Sequence, residues 1–192
     1  MRLFVALVPP EEALADFEEF LTPRHEAEPG FRWTVPDQWH ITLAFMAQVA
    51  DRRLDELEER LERGAARSAP LDLRLAGGGA FPNPAVAKVL FVGVEAGDQR
   101  EELSHLATRM RAAANKAGAD ADGGRFHPHV TVARVGRPIE ATRWVRVLGA
   151  YTGPVWTARE VLLIRSHLGE GPRRRPRYEV VGSFPLGAGV TR

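Results

Sequence analysis

The chain has no cysteine among its 192 residues, which removes disulfides, thiolate nucleophiles and cysteine-ligated zinc from its chemistry. A reducing compartment is compatible with that. Long apolar runs are missing too. The N-terminal one, Leu3 to Val8, is stopped by Pro9-Pro10 and Glu11-Glu12, too short for a signal-peptide core and far too short to span a bilayer. The expectation is a cytoplasmic protein with no membrane anchor. Nor does charge of either sign dominate. Lys and Arg number 26 against 25 Asp and Glu, a formal net charge of +1, whereas nucleic-acid binders commonly carry a strong basic excess. Any site for a polyanion must therefore be local.

What is present suits a packed interior. Hydrophobic residues make up 44% and charged residues 27%, the balance of a globular rather than a disordered chain. At this length one folding unit over residues 1–192 is expected,. Residues 2–8 read as a strand, followed at Pro9-Pro10-Glu11-Glu12 by a helix start and a helix to about Leu21. Residues 31–35 and 40–46 read as further strands. Leu54, Leu57 and Leu61 recur at helical spacing among charges, marking an amphipathic helix over 51–67. Strands are expected over 71–77 and 88–94, with the Gly- and Pro-rich "GGGAFPNP" as a loop between them. A helix over 98–116 uses Leu103, Leu106 and Met110 as its apolar stripe. Then come a strand at "HVTVARV", a short helix near 139–148, and strands at 156–165 and 177–184. Mixed strands and helices in this order predict an α+β fold with helices outside the sheets.

Two of the six histidines sit in near copies of one phrase, "WHITLAF" (Trp39 to Phe45) and "PHVTVAR" (Pro128 to Arg134), nearly half a chain apart. That spacing suggests two similar halves related by a pseudo-twofold axis. On a strand, side chains alternate between faces, so His40, Thr42 and Ala44 project one way and Ile41, Leu43 and Phe45 the other. The apolar set belongs in the core. In the second copy, Val130 and Val132 are on the buried side, with His129 and Thr131 on the polar side. Two such strands facing one cleft would bring two imidazoles and two hydroxyls together.

That inventory suits a phosphoester. A neutral imidazole can take a proton from an attacking oxygen while a protonated one gives a proton to the leaving oxygen, and an unperturbed pKa of ~6.5 allows both forms. Thr hydroxyls can stabilise charge building on non-bridging oxygens. The scheme needs neither metal nor cofactor. A lone His-x-Thr is ordinarily structural; the pairing is what points to a shared site. His127 with His129 is a rival constellation, because His-x-His on a strand can ligate a divalent ion, although no third ligand stands nearby in sequence.

The paired motifs, with "RLFVAL", "FRWTVPDQWHITLAFM", "RFHPHVTVARV" and "LLIRSHLG…YEVVGSFPL", resemble the two-histidine (2H) phosphoesterase superfamily. Within it they are most similar to bacterial and archaeal RNA 2',3'-cyclic phosphodiesterases, also called 2'-5' RNA ligases. The resemblance runs from Arg2 to about Leu186. It implies a bilobal α+β fold with two antiparallel sheets lining a V-shaped cleft. It also implies metal-independent opening of a terminal 2',3'-cyclic phosphate to a 2'-phosphomonoester, on RNA ends or nucleotides. By motif position His40 would be the proton donor and His129 the proton acceptor, with Thr42 and Thr131 holding phosphate oxygens. The reverse reaction with an RNA 5'-hydroxyl would make a 2'-5' linkage.

Other residues are weighed singly. Arg134 matches a position where similar enzymes carry a phosphate-contacting arginine, but strict alternation puts it on the opposite face from His129 and Thr131, so that role requires a strand end, twist or bulge near Ala133. Trp33 and Phe4 could form a stacking wall for a nucleobase, with core packing as their alternative. Arg32 is a candidate for the RNA backbone, and His127 for shaping the approach to the site. His25, His105 and His167 default to surface or structural roles, and Ser166 and Tyr178 to packing between strands. Segment 169–178, "GEGPRRRPRY", departs from the family's shorter glycine-rich turn and places Arg173, Arg174, Arg175 and Arg177 in a hairpin loop. The competing functions are a nucleotide- or RNA-binding module without turnover and a divalent-metal hydrolase built on His127 and His129. A monomer without a protein partner is the default.

Overall fold

The computed structural model describes residues 1–187. Its strands are β1 (Leu3–Leu7), β2 (Arg32–Trp33), β3 (Ile41–Met46), β4 (Leu71–Phe81), β5 (Ala87–Glu95), β6 (His129–Ile139), β7 (Trp156–Ala158), β8 (Glu160–His167) and β9 (Arg177–Pro185). Its helices are α1 (Glu11–His25), α2 (Leu54–Ala66), α3 (Arg100–Lys116) and α4 (Thr142–Gly149). One antiparallel sheet has the order β3-β1-β8-β9 and the other β2-β6-β5-β4-β7. The fold is α+β, as expected.

Helices cover the outer faces. Leu57, Leu61 and Ala65 of α2 are buried at four-residue spacing, while Glu56–Arg60 and Glu59–Arg63 pair along the solvent side,. Helices α2 and α3 pack on each other and back the first sheet through β9 and β3. Gly64 lets them close together, since a Cβ there would stand 2.8 Å from Met110 Cε. Helices α1 and α4 lie against β4 of the second sheet, with Phe17 of α1 buried between Trp39 and Tyr151 at 4.9 Å from each ring. Burying a Phe or Leu side chain contributes roughly 1.5–3 kcal/mol. A continuous apolar core, drawing on both sheets and all four helices, therefore holds the two halves together.

Three expectations need correction. The glycine run 77–79 is not a loop but part of β4. Gly77 takes φ +80 where the β4–β5 register shifts, and Gly79 lies under Phe91, whose ring carbon would be 2.2 Å from any Cβ,. Glycine here makes room for a neighbour rather than a turn. The strand expected over 156–165 is two strands in different sheets, β7 beside β4 and β8 between β1 and β9, split at Arg159. Arg159 carbonyl accepts from Leu186 N–H at 2.8 Å, which holds the crossing point. Helix α1 runs past Leu21 to His25 and carries Pro23 in its last turn, where the ring forfeits one backbone hydrogen bond just before the helix ends.

Candidate active site

Each motif strand has a neighbour, β1 for β3 and β5 for β6, whose register with it slips at the same point of the motif. In the first, Val5 pairs with Ala44 and Ala6 with Thr42, leaving Leu43 as the extra residue. In the second, Leu90 pairs with Ala133 and Phe91 with Thr131, leaving Val132 extra. Each is a β-bulge three residues after its histidine, and a bulge reverses the alternation beyond it. Leu43 and Ala44 are therefore both buried, as are Val132 and Ala133. The carbonyls of both extra residues find outside donors. Leu43 carbonyl accepts from Arg111 Nε at 3.1 Å, and Val132 carbonyl accepts from Thr34 N–H at 3.0 Å.

The bulges decide two side chains. Arg134 is turned to the polar face and lines the cleft, the condition its expected role required. Phe45, expected in the core, is turned the same way and also lines the cleft, which corrects the strict alternation assumed for "WHITLAF". Arg2 lies with its guanidinium 4.4 Å over the Phe45 ring centroid. A cation thus stands on each side of the cleft, one supplied by the motif itself and one carried on the motif's aromatic ring.

His40, Thr42, His129 and Thr131 all line one cavity of about 790 Å³. Each imidazole is oriented in the same way. His40 Nδ1 lies 2.7 Å from Gln38 carbonyl, and His129 Nδ1 lies 2.6 Å from His127 carbonyl. A carbonyl only accepts, so Nδ1 carries the proton and donates, which leaves Nε2 as the working nitrogen of both rings. Behind His40 stand Phe4, stacked at 4.5 Å, and Tyr178, edge-on at 5.5 Å. Behind His129 stand Phe81 at 4.9 Å and Phe91 at 5.1 Å. These apolar walls disfavour the imidazolium. Burial pushes the His40 pKa down to about 4, and burial likewise holds His129 below its ordinary value, with the Arg134 cation adding to both shifts,.

A hydrogen-bonded chain ties the two motifs together. Trp39, buried next to His40, donates from Nε1 to Thr34 Oγ1 at 2.8 Å, and Thr34 Oγ1 donates to Thr131 carbonyl at 2.8 Å. The spacing of the two motifs therefore depends on a hydroxyl that belongs to neither.

Charge in the cleft is one-sided. Arg2, Arg32, Arg134, Arg173, Arg174 and Arg175 contribute to its lining, which includes no carboxylate among the described residues. A chain with a net charge of +1 thus concentrates cations where an anion would bind.

The remaining candidates are distributed unevenly. Trp33 lines the cavity at 8% exposure, held by Nε1 donating to Glu28 carbonyl at 3.0 Å and packed against His25 and Trp144. Phe4 is 4% exposed and gives its face to His40. Phe31, packed beside Trp33, lines the cavity with more of its ring uncovered. His127 is exposed and packs edge-on against Phe81 and Phe91, and its carbonyl, not its ring, serves the site. With His129 it finds no third metal-ligating side chain among the described residues. His105 is exposed on α3, and His167 pairs with Glu179 at 2.7 Å. Ser166 and Tyr178, expected only to pack, both reach the cavity wall. Sequence reasoning missed Arg2, Thr34, Phe81, Phe91 and the two orienting carbonyls. The carbonyls left no signal at all, because every residue has one.

Two sheets present matched His-x-Thr pairs to one cationic cleft, an arrangement whose chemistry suits a phosphoester,. Comparison with known proteins makes this specific. The family model of the 2'-5' RNA ligase superfamily matches residues 9–170, and the chain belongs to that superfamily. An RNA 2',3'-cyclic phosphodiesterase of Thermus thermophilus is 32% identical over 97% of this chain and 90% of its own length. Its counterpart from Geobacillus stearothermophilus is 29% identical over 95% of this chain; the chain spans 56% of the length of that relative. The crystal structure of a Thermus thermophilus protein superposes with a TM-score of 0.76 at 30% identity, covering 97% of this chain and 98% of the other. E. coli LigT complexed with 3'-AMP shares the fold, with a TM-score of 0.74 at 24% identity over 96% of this chain and 97% of that one. No helix among the described residues is long and apolar enough to cross a membrane.

Proposed function

We propose that this protein hydrolyses 2',3'-cyclic phosphates, at RNA ends or on nucleotides, to 2'-phosphomonoesters. The observation that carries the reading is the pair of Nε2 atoms, each aimed by a main-chain carbonyl at Nδ1, on opposite walls of one cationic cleft. His129 Nε2 takes a proton from water as the water oxygen attacks phosphorus. His40 Nε2–H gives its proton to the departing 3'-oxygen as the P–O3' bond breaks. The products are a 2'-phosphate and a free 3'-hydroxyl, and the two histidines have exchanged protonation states. Thr42 and Thr131 hydroxyls donate to the non-bridging oxygens, and Arg134 offsets the charge that builds there. Trp33 serves as part of the wall for the nucleobase, whereas Phe4, buried with its face on His40, supports the imidazole and leaves no face for a base.

The acid must be protonated, yet both pKa values are low without a ligand. A bound phosphate anion reverses this by stabilising an imidazolium beside it. Proton uptake is thereby linked to substrate binding. With an RNA 5'-hydroxyl taking the place of water as the attacking group, the same residues make a 2'-5' linkage as a side activity. The proposal takes the enzyme as a cytoplasmic monomer without a protein partner, since residues of one chain complete the cleft.

The test is incubation with a 2',3'-cyclic-phosphate oligonucleotide in excess chelator, followed by assignment of the product phosphate. A 2'-phosphate is expected at an undiminished rate. A 3'-phosphate, or loss of turnover with chelator, would overturn the mechanism.

A further inference from the structure

The β8–β9 hairpin borders the cleft and carries Arg173, Arg174 and Arg175 in succession, all three lining the cavity. It is built rather than slack. Gly171 N–H donates to Arg175 carbonyl at 2.8 Å and Arg175 N–H to Pro172 carbonyl at 3.1 Å. Gln38 Nε2, from the segment just before His40, donates to Pro176 carbonyl at 3.2 Å and ties the hairpin to the catalytic motif. Within this frame Arg173 and Arg174 hold φ of +54 and +59, left-handed backbone that residues with a side chain seldom adopt unless their surroundings impose it,.

Carboxylates nearby are committed elsewhere. Glu170 pairs with Arg177 at 2.8 Å and lies 3.5 Å from His167, and Glu179 pairs with His167. Arg173, Arg174 and Arg175 enter no ion pair among the described residues. The hairpin therefore spends its acids on its stem and leaves three unneutralised guanidiniums at its tip. Arg173, Arg174 and Arg175 line the same cavity as Arg32 and Trp33 of β2, so the tip reaches towards the sheet opposite its own. A single scissile phosphate between the two histidines already has Arg134 and Arg2 on either side. Three more cations lining the cleft exceed what one phosphate needs.

We infer that Arg173, Arg174 and Arg175 form a subsite for a second phosphate, on the 5' side of the reacting nucleoside. The inference rests on the proposed hydrolysis for the placement of the first phosphate. It makes the preferred substrate one that carries an additional phosphate beyond the cyclic one, either the diester to a preceding nucleotide or a terminal 5'-phosphate. Guanidiniums suit either, since both present non-bridging oxygens for bidentate contact.

The experiment compares kcat/KM for adenosine 2',3'-cyclic phosphate, its 5'-phosphorylated form and the dinucleotide ApA 2',3'-cyclic phosphate. Charge is removed in the variant Arg173→Gly, Arg174→Gly, Arg175→Ala, which respects the left-handed backbone by placing glycine at the two positive φ positions. Wild type is expected to favour a second phosphate by roughly tenfold, and the variant to erase most of that preference. Preference for the dinucleotide alone assigns the subsite to a diester; preference for both assigns it to any 5' phosphate. A ratio that the variant leaves as in wild type overturns the inference. Dissociation constants for 2'-AMP and for ApA 2'-phosphate are measured in parallel. If no cyclic phosphate is turned over, the functional reading fails, while the affinity ratio still tests the subsite. Its salt dependence should flatten by roughly 0.7 in log–log slope for each phosphate contact removed.

Discussion

Arg2 lies over Phe45, its guanidinium 4.4 Å from the ring centroid, and Phe45 holds the place in the first motif that Arg134 holds in the second. Phe45 and Arg134 are each two residues beyond the extra residue of their bulges, so the pseudo-twofold site replaces an arginine by a ring that carries one. Arg2 should therefore act on the phosphate in the way proposed for Arg134. Arg2→Ala is expected to lower kcat/KM about tenfold, with Arg2→Lys retaining most of it. Phe45→Leu, which removes a contact worth about 0.5–1 kcal/mol, should cost about two- to fivefold. Steady-state kinetics on a cyclic phosphate substrate checks all three, and an Arg2→Ala enzyme indistinguishable from wild type would show Arg2 to be a surface cation.

With His40 and His129 in the proposed roles, replacing either by Ala should remove one proton transfer and lower kcat by about 10²–10⁴-fold. The double variant should fall little further than the worse single one, because the two rings act as a unit. Independent, multiplicative losses would contradict a shared transition state.

The activity should depend on pH in opposite ways on either side of one optimum. The proposed mechanism needs one imidazole charged and the other neutral, a state most populated between the pair's two apparent pKa values. Both lie below the ordinary value in the free protein. The kcat/KM maximum is thus expected on the acid side of pH ~6.5. The alkaline limb of kcat should stand at higher pH than that of kcat/KM, because bound phosphate stabilises the imidazolium. Profiles of both constants over pH 4–9 test this, and coincident alkaline limbs would count against linkage of proton and phosphate.

Stability should carry the same signature. His40 has a folded pKa of about 4 against an ordinary value of 6.5, so between these values the unfolded chain binds the proton more readily. Its contribution is fully present above the unfolded value and is lost as pH falls towards the folded one. Urea unfolding at pH 7 and pH 4 should show wild type losing on the order of 2 kcal/mol more than His40→Ala across that window. Equal losses would mean that the cleft leaves His40 well solvated.

Thr34→Val keeps the shape of the side chain while removing the hydroxyl that joins Trp39 Nε1 to Thr131 carbonyl. Leaving a buried indole N–H unpaired costs about 1–3 kcal/mol. The melting temperature should fall accordingly. Because Thr34 acts through the spacing of the motifs, kcat should fall more than KM rises, and Thr34→Ser should restore both.

Much of this molecule could be read from its residues. The apolar spacing of Leu54, Leu57 and Leu61 marked α2, and the stripe of Leu103, Leu106 and Met110 marked α3. The repeated His-x-Thr marked both walls of the cleft. Misreadings share one cause, which is that local patterns do not report their neighbours. Gly77 to Gly79 read as a loop because nothing in the sequence says that Phe91 will lie over Gly79 or Leu148 against Gly78. Residues 156–165 read as one strand because the pattern is uninterrupted, although Arg159 is where the chain leaves one sheet for the other. Phe45 read as core because a bulge depends on how two strands pair, not on either strand alone.

The residues alone set the chemical inventory and the parity of each motif: two imidazoles, two hydroxyls, no thiol, and apolar residues alternating to bury one face of each strand. Alternation is a property of the extended backbone and needs no partner to be legible. How that inventory is aimed was settled by folding. The carbonyls of Gln38 and His127 orient the rings, the paired bulges turn Arg134 and Phe45 into the cleft, and the hairpin brings three arginines to its lining. Each of these depends on groups distant in sequence or on main-chain atoms common to every residue, and such relationships exist only once the chain has folded.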